Sequence, residues 1–321
     1  MKSSITPSKT LHIPSIDISQ GLANPGVITQ LANACEEWGF FQLTGHGINT
    51  ALRTDFFAAI TEFFALPLEK KTRLSRNQEN FWGYFDKELT KNKQDSKEIF
   101  DIDGNLDNLL SSQPTFPVPW PPEQPELQKI VSRWLAEVEH LSRSLLEALC
   151  VALGQPPKTL NASFAKNHSS FLRFNYYPVL DDEYVDCTEG SLGKLGIHPH
   201  TDSGALTVLA QDDVAGLQVK KDGGWHTVTP GQDSLIINLG DMMQVWSNDR
   251  FTAGEHRVLA SSSQARFSAP YFYNPSYKTH CIPLTSPPRY KPILWNEYRS
   301  GRAAGDYADV GEEIQIAWYR L

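Results

Sequence analysis

The sequence predicts an α+β, mainly β protein: a jelly-roll core with helices flanking it on the N-terminal side. Two observations carry this. From about residue 200 the chain breaks into short β-rich segments (ALTVLAQ, GLQVKK, GWHTVTP, SLIINLG, MMQVWSN, EHRVLAS) punctuated by Gly, Asp, Asn and Pro. Such even spacing marks an antiparallel sandwich or jelly roll. Before them, apolar residues recur at spacings of three and four, the period of amphipathic helices.

In chain order, LHIPSIDIS reads as a strand interrupted by Pro14. Asn24 or Pro25 opens a helix whose stripe is Val27, Leu31, Ala34, Cys35 and Trp38, and Gly39 ends it. GFFQLTGHGI is a strand and a turn, with His46 as a turn or packing residue. TDFFAAITEFFALPLEKK is a second helix whose Phe pairs belong to the core. The stretch from Gln78 to Asn105 mixes aromatics with charge. Phe81, Trp82, Tyr84 and Phe85 form either a pocket wall or a hairpin packed on the barrel, and Glu98 and Asp101 read as structural ion pairs or polar anchors. FPVPWPPEQPEL is too proline-rich for regular structure and connects to a long helix from Leu127, ended by Gly154. These parts suggest an N-terminal region over residues 1–160, a β core over 161–285 and a C-terminal segment over 286–321, all in one compact unit.

SSFLRFNYYPVL is the first core strand, with Arg173, Asn175 and Tyr177 on one face. A polar face on a buried strand must be hydrogen-bonded or line a cavity. The acidic run at Asp181, Asp182 and Glu183 is either a solvated loop or a lure for a cationic substrate. His200 and Asp202 follow at i and i+2, the same face of a strand. An imidazole and a carboxylate aimed at one point are two thirds of the facial site that holds ferrous iron in oxygenases. His256 is the candidate third ligand, and His198, in phase with Asp202, is an alternative. Ten residues beyond His256, Arg266 and Ser268 present a guanidinium and a hydroxyl suited to one carboxylate. Gly240–Asp241 and Asn248–Asp249 read as turns. The helix-like YKPILWNEYRSGR either closes over the pocket mouth, with Leu294, Trp295 and Tyr298 as lid residues, or packs outside.

Composition narrows the function. With 321 residues, 40% hydrophobic and 21% charged, the chain is globular and long enough for one large core. A net charge of −8 argues against a nucleic-acid partner. Four scattered cysteines form no CxxC, which argues against a cysteine-zinc site and fits a reducing compartment. No apolar run is long enough to span a membrane and the first residues show no signal-peptide core, so the reading is a cytoplasmic protein with no obligate protein partner.

The pattern HxD at His200 and Asp202, then His256, then RxS at Arg266 and Ser268, resembles the iron(II)- and 2-oxoglutarate-dependent oxygenases, and more narrowly their isopenicillin-N-synthase-like branch. WGFF, GHGI and FFALPLEKK are similar to the N-terminal region of the same branch. The resemblance implies a double-stranded β-helix core. It implies Fe(II) on His200, Asp202 and His256, with the match beginning at His200 and so setting His198 aside. It implies 2-oxoglutarate on Arg266 and Ser268, with Asn175 and Tyr177 nearby on an NYYP-like strand, and O2 as second co-substrate. The substrate would be a small molecule such as an amino acid or secondary metabolite, hydroxylated, desaturated or cyclised in a biosynthetic step. Phe81, Trp82, Tyr84, Arg173 and Glu98 are the pocket candidates. Three other readings stay open: a 2-oxoglutarate-independent oxidase of the isopenicillin N synthase type, a non-enzymatic jelly-roll binding protein, and a zinc hydrolase, although no HExxH helix is present.

Overall fold

The computed structural model describes residues 12–77, 79–165, 167–180, 195–261, 263–305, 308 and 311–321. The run at Asp181, Asp182 and Glu183 lies outside the described residues.

The N-terminal part contains β1 (Ser15–Asp17), α1 (Pro25–Glu37), β2 (Phe40–Thr44), α2 (Thr50–Phe64), α3 (Leu68–Thr72), β3 (Gly83–Phe85), the short pair β4 (Leu89–Thr90) and β5 (Lys93–Gln94), β6 (Glu98–Asp103), α4 (Leu106–Leu109) and α5 (Leu127–Ala152). Helix α1 starts where Asn24, in extended backbone, accepts the Gly26 N–H at 2.8 Å and Pro25 presets the first helical turn. It stops before Gly39, whose φ is +64° and where a Cβ would lie 2.1 Å from the Thr252 carbonyl oxygen, so only glycine fits.

The second half supplies β7 (Phe171–Tyr177), β8 (Leu195–His200), β9 (Leu206–Gln211), β10 (Leu217–Lys221), β11 (Gly224–Thr227), β12 (Leu235–Leu239), α6 (Asp241–Trp246), β13 (His256–Leu259), β14 (Arg266–Tyr273), β15 (His280–Cys281), β16 (Ile293–Leu294) and α7 (Trp295–Gly305). Two sheets face each other, one of eight strands in the order β1-β2-β12-β9-β14-β7-β6-β3 and one of four in the order β11-β10-β13-β8. Their pairings are antiparallel except β1 with β2. The double-stranded β-helix expected from the resemblance is present, and the larger sheet recruits β1, β2, β3 and β6 from the first 103 residues.

Helices α1, α2 and α5 cover the outer face of the large sheet. Phe56 of α2 stacks on Trp134 of α5 at 4.4 Å and meets Phe174 of β7 edge-on at 5.6 Å. A second apolar cluster, including Phe40, Tyr177, Leu209, Leu217 and Val258, lies between the two sheets. Strands β9 and β12 are therefore buried on both faces, and their sequences are mostly apolar, broken only by Thr207, Gln211 and Asn238.

One expected β segment is a helix. MMQVW forms α6, buried at Met242, Met243, Val245 and Trp246. A short apolar run fits a buried strand or a buried helix equally, so periodicity could not separate them. Tertiary contacts decide: the Asp241 and Met242 N–H groups donate to the Asp202 and Gly204 carbonyls at 2.8 and 3.0 Å, which turns the chain at Gly240.

Described residues of the C-terminal segment are anchored at several points. Trp295 and Tyr298 are fully buried, and their polar atoms donate to Ser169 Oγ at 2.7 Å and Asp241 Oδ2 at 2.6 Å. These two lid candidates are anchors of α7. The chain end is clasped by Asp249, which accepts two Arg320 guanidinium bonds at 2.8 and 3.1 Å and the Tyr290 hydroxyl. Burial opposes ionisation of Asp249, but the Arg320, Tyr290 and Gln244 hydrogen bonds prevail and bring its carboxyl from 3.8 down to about 2. A lowered carboxyl contributes stability that is present above its unfolded value and lost as pH falls through its folded value. Asp249→Asn is thus expected to lower the melting temperature at neutral pH by about 2–4 °C. In paired thermal melts the gap should close as pH falls from 3.8 towards 2; a gap independent of pH would show that the clasp is not electrostatic.

Candidate active site

The three candidate ligands converge, though not by the route their spacing suggests. His200 ends β8 and His256 begins β13, and the two residues are directly paired across the small sheet. Asp202 lies beyond the end of β8, in the turn to β9, so strand alternation does not place it. The turn swings its carboxylate back between the imidazoles, with Oδ1 at 3.7 Å from both His200 Nε2 and His256 Nε2. All three ligand atoms lie within 4.8 Å of one another.

Each ligand is oriented by a partner on its other side. His200 Nδ1 faces the His198 carbonyl at 2.8 Å and His256 Nδ1 faces the Gly254 carbonyl at 3.1 Å. A carbonyl can only accept, so Nδ1 carries the proton and Nε2 keeps its lone pair for a metal. Asp202 Oδ2 accepts from Thr207 Oγ1 and, at 2.7 Å, from Asn238 Nδ2, leaving Oδ1 to the shared point. Burial and neighbouring His256 hold the His200 imidazole neutral, well below its usual range. Burial opposes ionisation of Asp202, but His256, His200, Thr207 and Asn238 together keep it below the usual carboxylate range. Two imidazoles and one carboxylate are the donor set of a divalent iron site with open positions.

On the large sheet, Arg266 pairs with Tyr177, and Ser268 with Asn175, across β14 and β7. All four are buried and line one cavity with the three ligands. Arg266 is 2% exposed. Its Nη2 donates to Gln211 Oε1 at 2.8 Å and its Nε to the Val214 carbonyl at 3.2 Å, while Nη1 has no hydrogen-bond partner. Among the described residues no carboxylate forms a salt bridge with it. A buried guanidinium with an orphaned donor facing a cavity calls for an anion. Asn175 Nδ2 reaches Ser268 Oγ at 3.4 Å, and Asn175 Oδ1 is unpartnered as well. A diacid with one end on the metal and the other on Arg266 fits these donors.

Arg173 also lines the cavity, but as part of a buried ion network. It grips Asp101 with two bonds, at 2.7 and 2.9 Å, and Glu88 at 2.8 Å. Burial opposes ionisation of Glu88, yet Arg173, Lys97 and Arg76 drive its carboxyl far below the usual range. Phe81, Trp82, Tyr84 and Glu98 do not line this cavity. Glu98 pairs in register with Tyr176, whose side chain points opposite to Tyr177, so it faces the helices, where it binds Lys71 at 2.5 Å and the Tyr84 hydroxyl at 2.9 Å. Phe81 packs on Trp82 and Phe116 at 4.9 and 4.8 Å. His198 is not a ligand: its Nδ1 lies 3.0 Å from Asp95 Oδ1.

Sequence reasoning missed Thr207, Asn238 and Gln211. Asn238 carried a usable signal, a lone amide inside the apolar run SLIINLG, since a buried polar side chain needs a partner.

A facial two-histidine, one-carboxylate site beside a buried arginine, set between the sheets of a jelly roll, defines a non-haem iron oxygenase that takes a carboxylate co-substrate. Comparison with known proteins agrees. Residues 168–275 match the 2OG-Fe(II) oxygenase superfamily, and residues 13–123 match the N-terminal region described as non-haem dioxygenase in morphine synthesis. Jasmonate-induced oxygenase 4 of Arabidopsis thaliana is 33% identical over 90% of this chain and 82% of that protein. Gibberellin 2-beta-dioxygenase 2 of the same plant is 34% identical over 89% and 85%. The structure of JOX2 in complex with 2OG, Fe and JA superposes with a TM-score of 0.83 at 28% identity, covering 100% of this chain and 92% of that one. A full-length Neurospora crassa protein in complex with alpha-KG and thymine gives 0.79 at 27%, covering 94% and 99%. The chain belongs to the 2OG-Fe(II) oxygenase superfamily, and it is an oxidoreductase that uses Fe(II) and 2-oxoglutarate.

Removing a hydrogen bond to a ligand frees it to turn. Asn238→Ala and Thr207→Val are each expected to weaken metal binding about 10–100-fold, read by anaerobic Fe(II) or Mn(II) titration. Unchanged affinity in both variants would show that Asp202 needs no fixing from behind.

Proposed function

We propose that this enzyme couples oxidative decarboxylation of 2-oxoglutarate to succinate with oxidation of a C–H bond in a small organic molecule. His200, Asp202 and His256 hold the iron, and Arg266 with Ser268 holds the distal carboxylate of 2-oxoglutarate. Asn175 and Tyr177 flank that carboxylate. The single observation that carries the assignment is the buried Arg266 with its unpartnered Nη1, in the same cavity as the three ligands. When bound, the iron and 2-oxoglutarate together supply the oxidising power, taking O2 and yielding carbon dioxide and succinate.

The protein's own share is binding, orientation and exclusion of water. The His198 and Gly254 carbonyls hold both imidazoles in the metal-binding tautomer. Thr207 and Asn238 keep Asp202 ionised and aimed. Arg266 lies against the Tyr177 ring, its guanidinium carbon 5.0 Å from the ring centre, which helps to fix its buried fork. Phe171 and Phe272 line the same cavity and offer an apolar surface to the substrate.

We further infer a cytoplasmic enzyme of small-molecule biosynthesis, acting without nucleic acid, membrane or an obligate protein partner. The buried free thiols Cys35, Cys150 and Cys281 suit a reducing compartment, the net charge is −8, and no helix among the described residues is long and apolar enough to cross a membrane. The reading also treats residues 1–160, 161–285 and 286–321 as three parts of one catalytic unit.

The test is succinate formation from 2-oxoglutarate with Fe(II) and without. Wild type should depend on both. Arg266→Ala should raise the 2-oxoglutarate Kd by about 10-fold or more, since a charge-assisted pair contributes about 1.5–3 kcal/mol. His256→Ala should lose iron and turnover together. Intact 2-oxoglutarate affinity in the Arg266 variant would refute the anchor, whereas absence of succinate from the wild type would favour the oxidase that uses no 2-oxoglutarate.

A further inference from the structure

His198 is not a ligand, yet its carbonyl sets the orientation of one, His200. The strand register around it is irregular. Between β8 and β13, His200 pairs with His256 and Ile197 pairs with Val258, so His198 and Pro199 together oppose Arg257 alone. Two residues against one make a β-bulge, which re-aims side chains and interrupts the ladder. Pro199 has no N–H to give to a neighbouring strand. The His198 N–H goes to a side chain from outside the sheet, Asp95. The backbone that presents His200 is therefore held by more than its own strand pairing.

Asp95 follows the β4–β5 pair, a separate two-stranded sheet, and its side chain has no exposure to solvent. Its Oδ1 accepts the His198 backbone N–H at 3.1 Å and faces His198 Nδ1 at 3.0 Å. A carboxylate oxygen accepts, so that ring nitrogen donates. One oxygen thus fixes both the peptide and the ring of His198. Oδ2 accepts the Thr90 hydroxyl at 2.8 Å and lies 3.4 Å from Lys97 Nζ. One residue further on, the Ser96 N–H donates to the Leu195 carbonyl at 3.1 Å, which ties the same segment to the start of β8. The His198 carbonyl then stands 2.8 Å from His200 Nδ1. Thr90 and Lys97 line the cavity with the ligands. A line of contacts therefore runs from the cavity wall through Asp95 and His198 to His200.

We propose that Asp95 is a positioning residue of the iron site: it fixes the His198 bulge so that His200 presents Nε2 to the metal, and it joins that ligand to the Thr90 and Lys97 wall of the cavity. This rests on the oxygenase reading above and extends the support of the metal to a segment outside the two main sheets.

The experiment titrates the apoprotein with Fe(II) and with Mn(II) without oxygen, and records the visible spectrum of the Co(II) form, for wild type, Asp95→Ala, Asp95→Asn and His198→Ala. Asp95→Ala should weaken both metals about 10–100-fold and change the Co(II) spectrum, because the His200 ring is freed to turn. Asp95→Asn keeps an oxygen for the His198 N–H, so its affinity should lie between wild type and Asp95→Ala. His198→Ala loses one of the two bonds to Asp95 and should weaken the metals about 3-fold or more. Added to Asp95→Ala it should cost little further, since both act through one contact. Asp101→Asn is the control for a merely structural role. Asp101 belongs to the same buried ion cluster, but its hydrogen bonds go to Arg76 and Arg173. That variant should lower the melting temperature and leave metal affinity and spectrum as in wild type. If Asp95→Ala does not fold, Asp95→Asn and His198→Ala carry the test. Wild-type affinity and spectrum in both, or an equal loss in Asp101→Asn, would overturn the proposal. Wild-type succinate formation is measured in parallel. Succinate with unchanged metal binding in the variants removes only the role of Asp95, whereas no succinate removes the oxygenase reading and leaves the metal titrations to decide Asp95.

Discussion

The structure depends on one constraint: a buried carboxylate must stay ionised and point one oxygen at two imidazoles. Asp202 meets it because Thr207 and Asn238 bind Oδ2, and because His200 and His256 stand directly opposite each other on β8 and β13. Leaving such a charge in a dry sandwich without these donors costs several kcal/mol. The fold brings each donor from a different strand, Thr207 from β9 and Asn238 from β12, so the large sheet supports ligands carried by the small one and its following turn. A divalent ion held by His200, Asp202 and His256 would add the positive charge that matches this carboxylate.

Around this centre the charges sort into groups with distinct roles. Arg76, Lys97 and Arg173 with Glu88, Asp95 and Asp101 form a buried cluster balanced within itself. It braces the β4–β5 pair against β8, since Asp95 also accepts the His198 backbone N–H at 3.1 Å. Arg266 is different: its hydrogen bonds go to neutral oxygens, and one donor has no partner. The contrast separates a structural arginine from a ligand-binding one, although both are buried and both line the same cavity.

The apolar shell explains how such a polar interior is tolerated. Helices α1, α2 and α5 seal the outer face of the large sheet with stacked aromatics, and the end of the chain is pinned through Asp249, Trp295 and Tyr298. Helix α7, anchored through Trp295 and Tyr298, contributes side chains to the cavity wall. This suits an enzyme whose co-substrate does the oxidation and whose protein must keep one C–H bond in place.

The sequence alone determined the residues able to do the chemistry. HxD, the distant His256 and the RxS pair are rare enough together to name the family, and the helical stripes and short strands to name the class. It could not determine how they meet. Asp202 arrives by a turn and not by strand alternation, MMQVW is helix and not strand, and Glu98 shares its face with Tyr176 and not with Tyr177. It also could not show that Asn238, 36 positions from Asp202, holds that carboxylate, or that Arg302 reaches the Thr201 carbonyl. The reason is physical: residue type and spacing set local geometry and reactivity, whereas register between strands, the direction of a buried side chain and the partner of a buried charge arise only when distant segments pack.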